Sequence, residues 1–431
     1  RPIVLGDMVN STGVLNLSLD ELAKLQDGFG RIVIGGSASN NPISIGESGT
    51  TGPVTIHDNL VLNSPMLGGE VFINQNLTVD GGSLTINGSG HTTNIAADSS
   101  TSGNTIINDS VTVTGTHTVA AGTGGAGSIQ ITTLSSHFLD GDGAVGDDKL
   151  TLTAAGTVSV FGQVGSVDPL EGLTISGTGG SNVTNVTFFN EVVVNGNLTI
   201  NATGTVTFQQ ALTLTGGGDL VITGAGLVVF ERGVTLTGTH GASVPGNIFI
   251  EGNEINIRGG ESSVSGTGMV TLRPTTVGLN IEVAGPPSEN TAYLNIDNTE
   301  IKALADGFSK IVIGRQEGAT NAYLQGVHAD DLAGIVRIGA VQQAQQFTFR
   351  DPLEVYGSSI SVEDFLNHNG YAILECYMNP EQDLVPKVKG ILTKDGILPP
   401  PIEDMSPLLP IETLESNMVI KVNEISYKIR K

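Results

Sequence analysis

Along most of the chain, apolar and polar residues alternate in short runs such as Val54-Thr55-Ile56, Leu212-Thr213-Leu214 and Val234-Thr235-Leu236, and Gly, Asn, Asp or Thr separates one run from the next. A period of two describes strands buried on one face, and the separators describe tight turns. The runs resemble one another. Val54 to Asn63 lines up with Val71 to Asp80 at an offset of 17, and Thr105 to Thr114 continues the series at twice that offset. Asn197 to Ile200 matches Asp219 to Ile222, and Gly204 to Phe208 matches Gly226 to Phe230, both at an offset of 22. Three short strands in a rung of about 20 residues, with no helical stretch between them, predict a parallel β-solenoid. One rung cannot bury its apolar face alone, whereas rungs stacked about 4.8 Å apart make a continuous aliphatic interior. An antiparallel sandwich would carry the same alternation; self-similarity across residues 50–290 favours the solenoid. The predicted class is all-β, a right-handed parallel β-helix with short helical capping elements and a separate C-terminal module. At about 20 residues per rung, residues 30–360 would make on the order of 16 rungs.

A second, longer repeat overlies the first. Leu17 to Gly35 reappears at Ile296 to Gly314 with nine of 19 positions identical, among them Asp27/Asp306, Gly28/Gly307 and Phe29/Phe308. Each copy reads as a short helix, a turn and a buried strand. Ser18-x-x-Glu21 and Asp297-x-x-Glu300 have the spacing of capping boxes, and Asp-Gly supplies the turn. The Phe29 and Phe308 rings are expected to pack under the helix. A helix placed before a strand-rich stretch is a natural lid over an open solenoid end, where unpaired strand edges invite uncontrolled addition.

The chain accordingly divides into an N-terminal segment (1–16), the first motif with the start of the solenoid (17–62), solenoid repeats (63–293), the second motif with the final rungs (294–365) and a C-terminal module (366–431). That last module holds seven of the 17 prolines within residues 371–431 and little Gly. Pro399 to Pro410 reads as a stiff extended linker. Ile425, Tyr427 and Ile429 alternate with polar residues, which predicts a lone amphipathic strand suited to joining a sheet of its own body or of a neighbouring subunit.

Composition narrows the function. Lys and Arg number 19 against 43 Asp and Glu, a formal charge of −24, and a chain this acidic lacks the basic footprint that nucleic acid requires. Hydrophobic residues at 39% argue against disorder. Aromatic residues are 4% with no Trp, so the core must be built from Val, Ile and Leu. The single cysteine, Cys376, excludes an intramolecular disulfide. No apolar run is long enough to predict a transmembrane helix. The N-terminus, Arg1-Pro2-Ile3-Val4, has neither an initiator Met nor a signal-peptide pattern, as expected of a mature or excised product.

Candidate chemistry is sparse. Asp140, Asp142, Asp147 and Asp148 lie on a Gly-rich turn whose carboxylates are a candidate calcium site, although the EF-hand spacing is not met and a solvated turn is the better reading. The seven histidines are scattered without metal-site spacing, and no G-x-S-x-G elbow occurs. From position 54 to 230, Lys149 is the only Lys or Arg, so a groove able to neutralise an acidic glycan is missing. Neither catalytic nor cofactor-binding residues are predicted. Nine N-x-[ST] sequons, Asn76-Leu77-Thr78 and Asn197-Leu198-Thr199 among them, follow from Asn- and Thr-rich rungs.

The stretches Ala154 to Gly177 and Gly196 to Gly226 resemble the repeats of large bacterial filamentous-haemagglutinin-like surface proteins. The motif Asp-Gly-Phe-x-x-Ile-Val-Ile-Gly is similar to a recurring element of very long bacterial extracellular repeat proteins. The resemblance spans residues 17–360 and implies secretion, a parallel β-helix and a role in adhesion or cell-surface structure; the Asn-Pro-Asn-Gly type secretion signature of those proteins is absent. The expected function is a non-enzymatic extracellular subunit that assembles head to tail with itself into a filament or surface layer, through a donated C-terminal strand, with other cells or surfaces as further partners. A stalk segment of a larger adhesin and a polysaccharide depolymerase are the alternatives.

Overall fold

The computed structural model describes residues 1–314 except 7–12, 48–51, 133, 145, 241–243, 277–278, 284–292 and 306, and beyond 314 the backbone of eight strands. The chain forms two compact units, residues 1–224 with 229–246 and residues 225–228 with 247–431. The fold is a parallel β-solenoid of about nine turns with very little helix.

In the first unit each turn contributes one short strand to each of three parallel ladders. One ladder runs from Ile32–Gly35 through Leu60–Asn63, 84–87, 105–108, Ile129–Ile131, Val158–Val160 and Val186–Phe188 to Thr205–Phe208. A second includes Ile43–Ile45, Glu70–Ile73, 92–95, 110–113, Phe138–Gly141 and Gln163–Val164. The third includes Val54–Ile56, Leu77–Val79, Ser99–Thr101, Thr116–Ala121, Lys149–Ala154 and Leu170–Ser176.

The register corrects the repeat length. Val54 pairs with Leu77, Ser99 with Val119 and Val119 with Leu152, so stacked partners in one ladder stand at offsets of 23, 20 and 33. A turn is thus longer and more variable than the repeat read from the sequence, and there are fewer turns than the shorter rungs would make. The match at an offset of 17 compares different faces, because Val71 stacks between Ile43 and Thr93 rather than on Val54. All faces obey the same alternation rule, so two of them imitate a rung. The match at an offset of 22 is a true one: Leu198 pairs with Leu220 and Ile200 with Ile222.

Inward positions of the ladders are fully buried aliphatics, including Leu60, Leu62, Leu84, Ile86, Ile129 and Val158. Burying such a side chain contributes roughly 1.5–3 kcal/mol. Large rings enter this narrow interior in one column, Phe188 on Phe208 at 5.0 Å and Phe208 on Phe230 at 5.2 Å. Two successive levels of the interior are partly polar. Thr93, Ser99, Thr101, Thr105 and Asp109 are buried there, with Thr93 Oγ1 donating to Asp109 Oδ2 at 3.0 Å and the Thr101 and Thr105 hydroxyls 3.1 Å apart.

Asparagines fasten successive turns. Asn87 Nδ2 donates to Asn63 Oδ1 and Asn108 Nδ2 to Asn87 Oδ1, each at 2.7 Å. Other asparagines accept a backbone amide from the following turn. Asn76 takes Asp98 N–H at 3.3 Å and Asn197 takes Asp219 N–H at 2.9 Å, which gives those two sequon asparagines a structural task. Where turns cross closely the chain needs glycine: a Cβ on Gly218 would lie 1.8 Å from the Gly196 oxygen.

In the second unit 254–257, Val264–Ser265 and Met269–Arg273 form the solenoid turn on which the rest of the unit builds, and the start of Ile248–Ile257 pairs with Met269–Arg273 from the turn before. Its Arg273 donates from Nη2 to Glu251 Oε2 at 2.6 Å and lies 4.4 Å from the Phe249 ring centre. Farther on the pairing becomes antiparallel, Ala372–Cys376 with Val388–Thr393 and Val419–Val422 with Ile425–Lys428. The terminal strand is therefore not alone. Ile425 faces Val422 and Tyr427 faces Ile420 in a hairpin, because the apolar run Val419-Ile420 supplies its partner within the tail. Ile429 and the stretch Pro399 to Pro410 lie outside the described residues.

Candidate functional site

The duplicated motif is part of a larger structural module. In its first copy Leu15–Leu17 leads through Ser18 into α1 (Leu19–Leu22) and then to Ile32–Gly35. In the second, Tyr293–Ile296 leads through Asp297 into α2 (Asn298–Ala303) and then to Lys310–Ile313. Both helices have complete capping boxes, Ser18 with Glu21 and Asp297 with Glu300. Gly28 and Gly307 share an unusual backbone, φ +124° and +123°. At that bend the Gly28 amide donates to Asp58 Oδ1 at 3.2 Å. Asp27 is exposed, and Asp306 lies outside the described residues.

The structure also adds a strand that the sequence comparison missed. Ile3–Leu5 precedes Leu15–Leu17 in the chain but lies between it and Ile43–Ile45. Asn280–Val283 lies in the same way between Tyr293–Ile296 and Ile335–Ile338. Ile3 pairs with Leu15, an offset of 12, whereas Ile281 pairs with Leu294, an offset of 13. That single extra residue breaks a fixed-offset match, and only the alternation of apolar positions could have carried the signal.

The two copies sit in different surroundings. The second is seated on the solenoid turn that precedes it, with contacts on every side of the turn. Asn295 N–H donates to Glu254 Oε2 at 3.4 Å, Ile257 N–H to Glu300 Oε1 at 3.2 Å, Ala305 N–H to the Val264 oxygen at 2.8 Å and Gly314 N–H to the Leu272 oxygen at 2.9 Å. Lys310–Ile313 pairs with Met269–Arg273 on one edge and with Leu353–Val355 on the other. In the first copy, among the described residues, Ile32–Gly35 pairs with Leu60–Asn63 alone.

Side-chain exposure follows. Leu15, Phe29 and Val33 are 53%, 55% and 44% exposed, while their counterparts Leu294, Phe308 and Val312 are 0%, 4% and 6% exposed. The expected packing beneath the helix is thus corrected for Phe29, which is exposed, whereas Phe308 is buried in its copy. Leu22 and Ile301 are buried in both copies, so the helix keeps its own inward contact.

Electrostatics diverge in parallel. Hydrogen bonds from Ser18 hold the exposed Glu21 carboxyl below its ordinary value. Burial, aided by the Asp297 charge, pushes Glu300 up to about 9.

The acidic turn has a different character. Asp140 is buried and accepts Ser166 N–H at 2.6 Å and Ser166 Oγ–H at 2.7 Å. Asp148, also buried, accepts Gly115 N–H at 2.8 Å and Asp142 N–H at 2.9 Å, and burial raises its pKa. Asp142 accepts Ala144 N–H at 2.8 Å, and Asp147 is exposed. These carboxylates tie down the insertion that makes this the longest step of its ladder, from Thr116–Ala121 to Lys149–Ala154. Among the described residues no group of three or more His, Cys, Asp or Glu is arranged to hold a metal ion. No described helix is long and apolar enough to cross a membrane.

Compared with known protein families, curated proteins and solved structures, the chain matches none.

Proposed function

We propose that this chain is a non-enzymatic extracellular structural protein, a β-solenoid that continues end to end in a filament or surface layer. The observation that carries the reading is the module found in two states, open at Leu15, Phe29 and Val33 and covered at Leu294, Phe308 and Val312. The first unit displays the face that, within the second unit, joins the module to a preceding solenoid turn. Contacts between unlike surfaces propagate rather than close, which is how filaments arise. The resemblance to filamentous-haemagglutinin-like surface proteins supports an extracellular place and an adhesive or scaffolding role. The internal joining of one module to a preceding turn also favours the second reading, a stalk segment of a larger adhesin.

Negative-stain microscopy of the purified chain over a range of concentration, with and without Ca²⁺, tests the assembly. Filaments or sheets are expected, and monomers under every condition would overturn it. Deletion of residues 411–431 separates the two routes: loss of assembly assigns it to the tail hairpin, and retention assigns it to the open module.

A further inference from the structure

The open face of the first module has a known occupant at its second copy. There the module is seated, by the hydrogen bonds and strand pairing given above, on a complete solenoid turn made of 254–257, Val264–Ser265 and Met269–Arg273. Residues 274–279 alone connect that turn to Asn280–Val283. We infer that the first module is the seat for a turn of the same kind, carried by a preceding solenoid of the same polypeptide, so that the module is a joint repeated along a tandem array. This rests on the second reading above, a stalk segment of a larger chain, and names the acceptor surface and what that surface takes.

Three observations support this choice. The exposed residues are the equivalents of those buried at the second joint, Leu15 for Leu294, Phe29 for Phe308 and Val33 for Val312. The backbone is preset, with Gly28 and Gly307 at nearly the same φ and both helices opened by a capping box. By equivalence with Val270↔Ile311 and Leu272↔Ile313, the incoming strand would place its inward residues opposite Ile32 and Ile34. A second copy of this chain is the weaker donor. Its own Met269–Arg273 is already paired on one edge with Ile248–Ile257 and on the other with Lys310–Ile313.

The test grafts the chain's own turn onto its open end. Residues 247–279 are placed ahead of Pro2, the position equivalent to Asn280, in the otherwise full-length chain; a second variant carries 225–279. Hydrogen exchange of the segment 29–36 is compared with that of 308–315. In at least one graft, exchange of 29–36 is expected to slow by at least about tenfold, and Val33→Lys in the grafted chain should return it to the parent rate. Exchange as fast as the parent's in both grafts would overturn the inference. So would protection of 29–36 already present in the ungrafted chain and rising with its concentration, which would assign the face to a second copy. Because protection is read within one molecule, failure here is distinct from failure to see filaments.

Discussion

Glu300 accepts the amide of Ile257 at 3.2 Å while its other oxygen accepts that of Asp297 at 2.9 Å, so one carboxylate both caps α2 and fastens it to the preceding turn. Its neighbours include the carboxylates of Asp297 and Glu254, and burial holds it protonated up to about pH 9.

A pH dependence follows. Between the ordinary value of 4.5 and about 9 the native state holds a proton on Glu300 that the unfolded state has lost. Stability contributed by this group is complete below pH 4.5 and is lost as pH rises through that window. Thermal unfolding of the second unit should therefore occur at lower temperature at pH 9 than at pH 5. Glu300→Gln, which stays neutral and can still cap, should flatten that dependence; an unchanged slope in the variant would assign it to other groups.

The phenylalanine column should be the most sensitive part of the interior. Phe208 lies between Phe188 and Phe230, so Phe208→Ala removes two stacking contacts and leaves a cavity that the stacked turns cannot close. A loss of about 3–5 kcal/mol is expected in urea unfolding, with a smaller loss for Phe208→Leu.

The asparagine ladder makes a second energetic prediction. Asn87→Ala deletes one donor and one acceptor, both at 2.7 Å, and leaves Asn63 and Asn108 each without that partner. Roughly 1–2 kcal/mol should be lost. Asn87→Asp should do worse at pH 7 than at pH 3, since the carboxylate accepts from Asn108 but has nothing to donate to Asn63 Oδ1 once ionised.

Close approach of backbones predicts a third loss. Gly218→Ala sets a Cβ 1.8 Å from the Gly196 oxygen, and backbone there must move. A cost of roughly 1–3 kcal/mol is expected. Gly68→Ala is the comparison for φ strain without a clash, since Gly68 is at φ +89° with open space around its Cβ position.

The acidic turn can be examined by removing Asp148, which accepts two amides from different parts of its turn. Asp148→Ala should lower the melting temperature equally in EDTA and in millimolar Ca²⁺. A loss confined to the Ca²⁺ condition would support the calcium reading of Asp140, Asp142, Asp147 and Asp148.

The alternation in runs such as Leu212-Thr213-Leu214 was enough to place strands, and the match of Asn197 to Ile200 with Asp219 to Ile222 found a true stacking partner. The match of Val54 with Val71 failed because period-two patterning says which side of a strand is buried but not which of three faces it occupies. The pairing of Ile425–Lys428 with Val419–Val422 was missed because a short polar break between two apolar runs can end one strand or turn a hairpin.

What the sequence by itself determined is local: strand periodicity, the capping boxes at Ser18 and Asp297, glycine where turns crowd, and the existence of two related motifs. Only the tertiary structure decided that one motif is covered and the other open. Phe29 and Phe308 both follow Asp-Gly and both precede Ile-Val-Ile-Gly at the same spacing, but burial depends on what stacks above, and a stacked turn is a contact between residues far apart in sequence.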